Sequence, residues 1–436
     1  MNGVRKVTED LYWVGVNDKR IELFENIHPI PEGVSYNAYL LLDEKTVLFD
    51  TVDWSGCRVF LENIAAVLDG RKLDYLVVNH MEPDHAASLE EVLIRYPECK
   101  VISNEKAFMF MRQFGFDVDG REDTVKEGDT RCFGKHTVTF LMAQMVHWPE
   151  AMVTFDTTNG VLFSADAFGS FGSLDGRLFD DEVNFDRDWI DNARRYFTNI
   201  VGKYGPFVQQ LLAKAKTAPI KMFCPLHGPV WRTNLGYYLD KHDKWSRYIP
   251  EENGVMIVYA SMYGNTESAA QALAAQLCEK GVTNVRVYDV SKTHVSYLVA
   301  EAFKYSHIVL ASVTYNLNIY PVMEDFLHHL KVLNLSKRVF GIIENGSWAI
   351  KSGSLMERYI DENLKDCRIL NARMTINSSA NRSNASELDA LSDAIVKSVA
   401  IEEKAFEQRV IDDAAFAEEE ARKAAFKKQI GRASCR

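Results

Sequence analysis

The sequence predicts an α/β protein built from two domains that join near residue 250. Up to about Pro250, short apolar runs with strand character come in quick succession and then alternate with longer helical stretches. After the polar segment 251–254, five strand-like runs alternate strictly with helices, which is typical of a doubly wound parallel sheet. The 436 residues, of which 47% are hydrophobic, are enough to bury two cores.

The first domain is predicted to contain two sheets covered by helices. Its early strands are predicted over 8–16, 20–26, 36–42 and 46–49. Helical stretches are predicted over 58–68, 86–96 and 188–216. Further buried strands are indicated by the apolar runs 73–78, 138–142, 160–164 and 222–225.

Potential metal ligands follow each of those last four apolar runs. The first run leads into Asn-His-Met-Glu-Pro-Asp-His, where we expect Pro83 to break any helix, so that side chains from one loop converge. Because each ligand lies where a strand ends, the four strand ends are predicted to form one rim of a site for two metal ions. The seven ligands are His80, Glu82, Asp84, His85, His147, Asp166 and His227.

The chemistry of these ligands narrows the choice of metal. Four imidazoles and three carboxylates without a thiolate differ from the Cys-rich cages of structural zinc, and they suit iron or manganese as well as zinc. Iron is favoured. Asp166, isolated along the chain between two histidines, is the carboxylate expected to bridge the two ions. Taken singly, any of these histidines is as readily a hydrogen-bonded structural residue, so the prediction depends on the whole set.

The second domain is predicted to bind FMN at the carboxyl ends of its parallel strands, where doubly wound sheets hold their ligands. Its strands are predicted over 255–260, 285–290, 308–313, 339–343 and 368–374, with a helix from Glu267. The loop after the first strand offers backbone N–H groups to a phosphate at a helix N-terminus, and the other two loops bring aromatic rings for a flat heterocycle. A Walker-type nucleotide site is excluded because that loop has no Lys.

Three loops contribute to the predicted FMN site. They supply Ser261, Met262, Tyr263, Gly264, Asn265, Thr266, Ser312, Thr314, Tyr315, Asn316, Asn345, Gly346, Ser347 and Trp348.

Composition excludes several other classes of protein. The formal net charge of −11 argues against a nucleic-acid partner. We expect no membrane partner and a cytoplasmic location, because no apolar stretch approaches the roughly 20 residues that span a bilayer and the N-terminus lacks a signal-peptide core. The seven cysteines are scattered and include no C-x-x-C pair, so neither a disulfide framework nor a rubredoxin-type site is encoded.

With both halves considered, the sequence resembles the flavodiiron proteins over about residues 1–400. The pattern H-x-E-x-D-H followed by distant His, Asp and His is met residue by residue, and Glu82 stands where related zinc hydrolases carry a second His. The resemblance implies an N-terminal αββα metallo-β-lactamase-like sandwich at 1–250 and a C-terminal flavodoxin-like five-stranded parallel sheet at 251–400. It also implies that one iron is bound by His80, Glu82 and His147 and the other by Asp84, His85 and His227, with Asp166 bridging.

The family reduces dioxygen to water, nitric oxide to nitrous oxide, or both, at a diiron centre fed by FMN. The resemblance therefore implies an external electron donor, most commonly a separate rubredoxin, with reduced deazaflavin used by some relatives. It also implies a head-to-tail homodimer or a dimer of dimers. Two alternatives remain open at this point: a zinc hydrolase with a fused flavodoxin domain, and a non-enzymatic electron carrier or gas sensor.

The chain continues beyond the two domains as a charged extension, 401–436. It is rich in Ala and charged residues and turns from acidic to basic after Glu420. This composition predicts a helix. We expect a solvated or packed terminal helix, with docking of an electron donor or a neighbouring subunit as the alternative.

Overall fold

The structure is a computed structural model that describes residues 3–404 and residue 408. It divides into two compact units between Ile249 and Pro250. Of the predicted C-terminal helix, residues 401–404 are helical, and the remainder of the extension lies outside the described residues apart from residue 408. No helix in the described part of the chain is both long enough and apolar enough to cross a bilayer.

The first unit contains strands β1 to β16 and helices α1 to α8. The strands are β1 (Arg5–Lys6), β2 (Leu11–Trp13), β3 (Val16–Asp18), β4 (Leu23–Phe24), β5 (His28–Pro29), β6 (Val34–Tyr36), β7 (Tyr39–Leu42), β8 (Thr46–Phe49), β9 (Tyr75–Val77), β10 (Lys100–Ser103), β11 (Glu122–Thr124), β12 (Thr130–Cys132), β13 (Thr137–Met142), β14 (Met152–Asp156), β15 (Val161–Phe163) and β16 (Met222–Cys224). The helices are α1 (Cys57–Leu68), α2 (Pro83–Ala86), α3 (Leu89–Arg95), α4 (Glu105–Gln113), α5 (Phe185–Asp188), α6 (Ile190–Tyr196), α7 (Gly205–Ala215) and α8 (Leu235–Ser246).

Two large sheets form the core of this unit. One has the order β1-β2-β7-β8-β9-β10-β11 and the other β12-β13-β14-β15-β16. They pack face to face through aromatic rings, since Phe49 of β8 stacks on Phe163 of β15 with ring centroids 3.7 Å apart, and Tyr39 of β7 meets the same ring edge-on. The predicted metallo-β-lactamase-like sandwich is confirmed by this architecture and by the matches reported below.

Strand direction brings four strand ends to the site. Strands β8, β9 and β10 run parallel to one another, and β15 runs parallel to β16. Strand β13 pairs antiparallel with β14, which pairs antiparallel with β15, so β13 and β15 share a direction. The carboxyl ends of β13, β15 and β16 therefore lie at one edge of their sheet. The carboxyl end of β9 lies at an edge of the other sheet.

Two local predictions about this unit were wrong. Pro83 does not prevent a helix but begins one, because a proline at the first helical position has no N–H to leave unpaired. The single helix predicted over 188–216 is broken into α6, a π-helical turn (Phe197–Val201), a 3₁₀ turn (Gly202–Tyr204) and α7. The segment around Pro206 contains glycine and proline, which are poor residues for a helix interior, and it therefore allows this break.

The second unit is a five-stranded parallel sheet with the order β18-β17-β19-β20-β21. Its strands are β17 (Glu252–Ala260), β18 (Val285–Asp289), β19 (Tyr305–Val313), β20 (Val339–Gly346) and β21 (Arg368–Asn377). Its helices are α9 (Asn265–Glu279), α10 (Val295–Lys304), α11 (Pro321–Val332) and α12 (Ser352–Asn363), followed by a helix over 385–404. Strands β19 and β20 are buried throughout, as expected of a sheet covered on both faces, and the predicted doubly wound flavodoxin-like fold is confirmed.

Candidate metal centre and flavin site

The structure brings all seven predicted ligands together at the strand ends of the first unit. His80, Asp166 and His227 each lie three residues beyond a strand, after β9, β15 and β16 respectively. Asp84 and His85 lie in the first turn of α2, which Pro83 begins.

One group consists of His80, Glu82, His147 and Asp166. The Nε2 atom of His147 lies 2.8 Å from Oε2 of Glu82, and Nε2 of His80 lies 3.2 Å from the same oxygen. The same two nitrogens lie 3.3 and 3.1 Å from Oδ2 of Asp166. Two imidazole nitrogens and two carboxylate oxygens therefore converge in a space that a single metal ion could fill.

The second group consists of Asp84, His85 and His227 together with the other oxygen of Asp166. Oδ2 of Asp84 lies 3.3 Å from Nε2 of His85 and 3.2 Å from Nε2 of His227. Oδ1 of Asp166 lies 3.3 Å and 3.7 Å from the same two nitrogens. The two oxygens of Asp166 thus face different groups, which is the arrangement of a bridging carboxylate.

The loop that carries Asp166 has an unusual backbone. Ala165 and Phe168 have φ angles of 50° and 66°, in the left-handed region that residues with a Cβ avoid. Such conformations persist only where the surrounding structure holds them, and they concentrate at functional sites. The position of Asp166, which is 1% exposed, is therefore held by the packing around this loop.

Two ligands are oriented by residues that the sequence analysis did not identify. Nδ1 of His80 lies 2.9 Å from Oε1 of Glu150, and Nδ1 of His227 lies 2.8 Å from the carbonyl oxygen of Ser35. A carboxylate and a carbonyl only accept hydrogen bonds, so both histidines carry a proton on Nδ1 and direct Nε2 at the site. Glu150 could have been found from the sequence because it directly follows His147-Trp148-Pro149. The carbonyl of Ser35 could not, because every residue has a backbone carbonyl.

The contacts among these side chains are better satisfied by metal ions than by hydrogen bonds between the side chains themselves. Nε2 of His85 and Nε2 of His227 are 3.0 Å apart, and among the described residues both carboxylate oxygens of Asp84 and both of Asp166 have no hydrogen-bond partner. Buried carboxylate oxygens are rarely left without partners unless a cation completes them. This donor set therefore fits divalent metal ions.

Protons and metal ions compete for the same nitrogens. Burial acts to lower the pKa of His147, but the carboxylates of Asp166 and Glu82 outweigh it and raise that pKa to about 9. Burial likewise opposes protonation of His80, yet Asp166, Glu150 and Glu82 raise its pKa well above the usual 6.5. Metal binding to this cluster would displace protons.

The predicted FMN loops meet at one edge of the second unit. Because β17, β19 and β20 are neighbours in a parallel sheet, the loops that follow them leave the same edge side by side. Gly264 precedes α9 with φ of 89°, and the space where its Cβ would be is open. The start of α9 therefore follows an uncrowded glycine turn, and backbone N–H groups at a helix N-terminus are suited to binding a phosphate.

The aromatic residues of these loops are unusually exposed. Tyr263 is 88% exposed, Trp348 is 79% exposed and Tyr315 is 40% exposed. Large exposed rings on three neighbouring loops are suited to stacking on a flat ligand. Accessible surface is also found at Ser261, Met262, Gly264, Asn265, Thr314, Asn316 and Ser347.

The remaining predicted residues of this site are buried and hold the loops together. Nδ2 of Asn345 donates to the hydroxyl of Thr266 at 3.2 Å and to the carbonyl of Ser378, in a fourth loop that the sequence analysis did not include. Ser312 is fully buried and its hydroxyl donates to the carbonyl of Val313. Gly346 is required by close approach, since a Cβ there would lie 2.0 Å from the carbonyl oxygen of Ala349.

Comparison with known proteins assigns both units. A family model described as ODP family beta lactamase matches residues 34–228, and a flavodoxin model matches residues 257–367. A nitric oxide reductase of Moorella thermoacetica is 30% identical over 366 residues, which cover 83% of this chain and 90% of that protein. An anaerobic nitric oxide reductase flavorubredoxin of Pectobacterium carotovorum is 31% identical over 351 residues, covering 78% of this chain and 68% of that protein.

Solved structures agree with this assignment. The rubredoxin oxygen:oxidoreductase from Desulfovibrio gigas superposes with a TM-score of 0.85 at 27% identity, covering 91% of this chain and 99% of that chain. The flavodiiron protein from Giardia intestinalis has the same fold, with a TM-score of 0.83 at 24% identity over 91% of this chain and 97% of that chain.

A metallo-β-lactamase-like unit with a His, Glu and Asp cluster, joined to a flavodoxin-like unit, defines an oxidoreductase that uses FMN and a diiron centre. The chain belongs to the flavodiiron protein family.

Proposed function

We propose that this protein reduces dioxygen to water or nitric oxide to nitrous oxide, with electrons that pass through FMN from an external donor. The observation that carries the proposal is the position of Asp166, whose two oxygens face two separate sets of nitrogen ligands. Two metal ions held by these two sets of ligands would supply electrons together at one site. The name of the Moorella relative supports nitric oxide as a substrate, and the name of the Desulfovibrio relative supports dioxygen.

We propose that His80, Glu82 and His147 hold one iron, and that Asp84, His85 and His227 hold the other, with Asp166 shared. When bound, the two irons supply two electrons and open coordination positions for the gas. The chain itself keeps the ligands oriented, since Glu150 and Ser35 fix the rings of two histidines.

Burial of these ligands also strengthens their interaction with metal ions. His80, His85 and His227 have no exposed surface, so bulk water cannot solvate the nitrogens that face the centre. An environment with little water strengthens the attraction between the carboxylates and the metal ions.

FMN is proposed to bind at the three loops of the second unit, with the phosphate at the start of α9 and the ring against Tyr315 and Trp348. Reduced FMN supplies two further electrons, which together with the two from iron match the four-electron reduction of dioxygen. A rubredoxin is the proposed donor and reduced deazaflavin the alternative. This donor is proposed to be a separate molecule.

A head-to-tail homodimer, or a dimer of such dimers, is the proposed assembly, in which the flavin of one copy serves the irons of the other. The resemblance to the family supports this proposal. Dilution below the dimer dissociation constant should abolish turnover while FMN and iron stay bound. A monomer with full activity, judged by size-exclusion chromatography and turnover at the same concentration, would contradict it.

The test of the reaction is amperometric turnover with both gases under one donor. The iron-loaded, FMN-loaded protein should consume dioxygen, nitric oxide or both, and each gas should disappear only when donor is present. A zinc hydrolase is the competing function, and Glu82 argues against it because its carboxylate replaces a nitrogen ligand of those enzymes. A preparation that binds zinc in preference to iron and consumes neither gas would contradict the proposal.

A further inference from the structure

The segment that carries Trp348 is held at both ends by one residue of the neighbouring loop. At its start, the backbone N–H of Thr314 donates to the carbonyl of Asn345 at 2.7 Å. At its end, the hydroxyl oxygen of Thr314 accepts from the backbone N–H groups of Lys351 at 2.9 Å and Ser352 at 3.1 Å. A single residue therefore fixes where this segment begins and where it ends.

Helix α12 uses this hydroxyl because its own sequence supplies no cap. The first N–H groups of an α-helix have no partner within the helix, and a Ser, Thr, Asp or Asn just before the helix usually accepts from them. That position is Lys351, whose side chain makes no capping hydrogen bond to any residue that the structure describes. Thr314 supplies the acceptor instead, and Oε2 of Glu344 accepts from the N–H of Gly353 at 3.0 Å. The first N–H groups of α12 are therefore engaged by the protein.

The hydroxyl of Thr314 has no lone pair left for the flavin. A hydroxyl group can accept two hydrogen bonds and donate one. Both acceptor positions are used at the start of α12, and the group donates to the hydroxyl oxygen of Ser352 at 3.4 Å. The hydroxyl of Ser352 in turn donates to the carbonyl of Ser312 at 2.8 Å. These bonds suit a residue that positions the loop, and they leave no acceptor for an N–H group of FMN.

The consequence for FMN follows from the position of Trp348. Packing does little to fix this ring, which is largely exposed, so its position depends on the backbone that carries it. That backbone turns tightly, since a Cβ at Gly346 would lie 2.0 Å from the carbonyl oxygen of Ala349. We propose that Thr314 is a positioning residue that holds Trp348 where it binds the flavin ring; the proposal rests on the FMN site proposed above.

Amide hydrogen exchange tests the contact itself, without the flavin. Thr314→Val keeps the shape of the side chain and removes the hydroxyl, so the amides of Lys351 and Ser352 should exchange faster in the full-length variant. Thr314→Ser restores the hydroxyl and should restore the slow exchange. Unchanged exchange at both amides in Thr314→Val would overturn the proposal.

FMN affinity tests whether this contact matters for the flavin. The apparent affinity falls with the fraction of chains that adopt the binding conformation, and a lost helix cap changes such an equilibrium by about fivefold. Thr314→Val should therefore bind FMN about fivefold more weakly in fluorescence titrations of the iron-loaded protein, and Thr314→Ser should recover the wild-type affinity. Equal affinities for Thr314→Val and wild type would overturn the proposal.

The matched control is Thr283→Val. Thr283 is exposed and precedes β18, so it lies at the opposite end of the parallel strands from the flavin loops. This variant should bind FMN as wild type does. A loss equal to that of Thr314→Val would show that the effect is not specific to the loop, and it would overturn the proposal.

A double-mutant cycle separates positioning from direct contact. If Thr314 acts through Trp348, Thr314→Val made in the Trp348→Ala protein should change FMN affinity by about twofold or less. A further loss of about fivefold in that background would show that Thr314 contacts the flavin independently, and it would overturn the proposal. None of these measurements uses gas turnover, so failure of the proposed reaction would leave them unaffected.

Discussion

The Nε2 atoms of His85 and His227 lie 3.0 Å apart, and both face Oδ2 of Asp84. Nδ1 of His227 donates to the carbonyl of Ser35, so its Nε2 directs a lone pair at the other ring. A proton or a metal ion between the two nitrogens would be stabilised by this lone pair. The pair is therefore suited to a cation.

Removal of metal should destabilise the folded protein. A metal that binds only the native state adds about 2.7 kcal/mol at a free concentration one hundred times its dissociation constant. Chelation of the iron-loaded protein should therefore lower its Tm, as measured by calorimetry, and restoring iron should recover it. An unchanged Tm after complete iron removal would show that the seven side chains do not bind metal in the folded state.

Asp166→Asn should impair both metal positions at once. The amide offers one acceptor oxygen and an NH2 group that only donates, so it cannot bridge two cations. We expect turnover to fall by about two orders of magnitude or more, with iron affinity reduced and FMN content unchanged. The control is Asp119→Asn, a surface carboxylate paired with Arg112, which should behave as wild type. A full complement of iron and full activity in Asp166→Asn would contradict the bridge.

Glu150→Ala should weaken iron binding although Glu150 is not a ligand. Loss of its Oε1 leaves Nδ1 of His80 and the backbone N–H of Met81 without their acceptor. Such changes reduce metal affinity by about 10- to 100-fold. Glu150→Gln keeps an acceptor oxygen and should recover most of the affinity, as measured by titration with ferrous iron. Equal affinities for Glu150→Ala and wild type would exclude this orienting role.

His136 should make stability depend on pH. Its Nδ1 lies 2.8 Å from Oδ2 of Asp156 and its Nε2 lies 2.8 Å from Oδ2 of Asp10. Burial acts to lower the pKa of His136, but these two carboxylates outweigh it and raise the pKa above 6.5. Since the folded pKa exceeds the unfolded one, the stabilisation is fully present below about pH 6.5 and is lost as pH rises through the folded value.

The measurement is urea unfolding of wild type and His136→Gln across this pH range. Each unit of pKa shift corresponds to about 1.4 kcal/mol, so the wild-type free energy of unfolding should fall as pH rises. His136→Gln should lose this pH-dependent stabilisation, so its free energy of unfolding should change less with pH. Lys135 and Asp43 lie beside the cluster, and they remain charged over the same range. Parallel profiles for the two proteins would contradict the prediction.

Trp348→Ala should release FMN without unfolding the protein. The side chain is 79% exposed, so its removal costs little packing, whereas loss of a ring that stacks on the flavin should weaken binding by about tenfold. Trp54→Ala, at another exposed tryptophan in the first unit, is the matched control and should keep the wild-type FMN affinity. Fluorescence titration with FMN distinguishes the two outcomes, and equal affinities would place the flavin ring elsewhere.

The sequence predicted that the candidate ligands would lie together because the segments that carry them follow strands, and the structure brings these residues together. An apolar run followed by His or Asp locates a residue at a sheet edge, and Asp166 and His227 lie there in the structure. Parallel strands then bring together residues far apart in the chain. The same argument located the loops of the second unit, since strict alternation of strands and helices fixes the edge at which they lie.

The sequence could not predict features that depend on packing. At Phe197–Val201 the sequence keeps a helical pattern, but the backbone forms a π turn. Hydrophobic periodicity does not distinguish a π turn from a regular α-helix. The carbonyl of Ser35 orients His227 through backbone atoms that every residue has. Pro83 was expected to break a helix, yet proline is equally suited to the first helical position.

The most direct test of the paired metal site is anomalous diffraction at the iron edge from crystals of the anaerobically reconstituted protein. We expect two iron peaks per chain, one among His80, Glu82 and His147 and the other among Asp84, His85 and His227, with one oxygen of Asp166 directed at each. A single peak, or two peaks that do not share Asp166, would contradict the account.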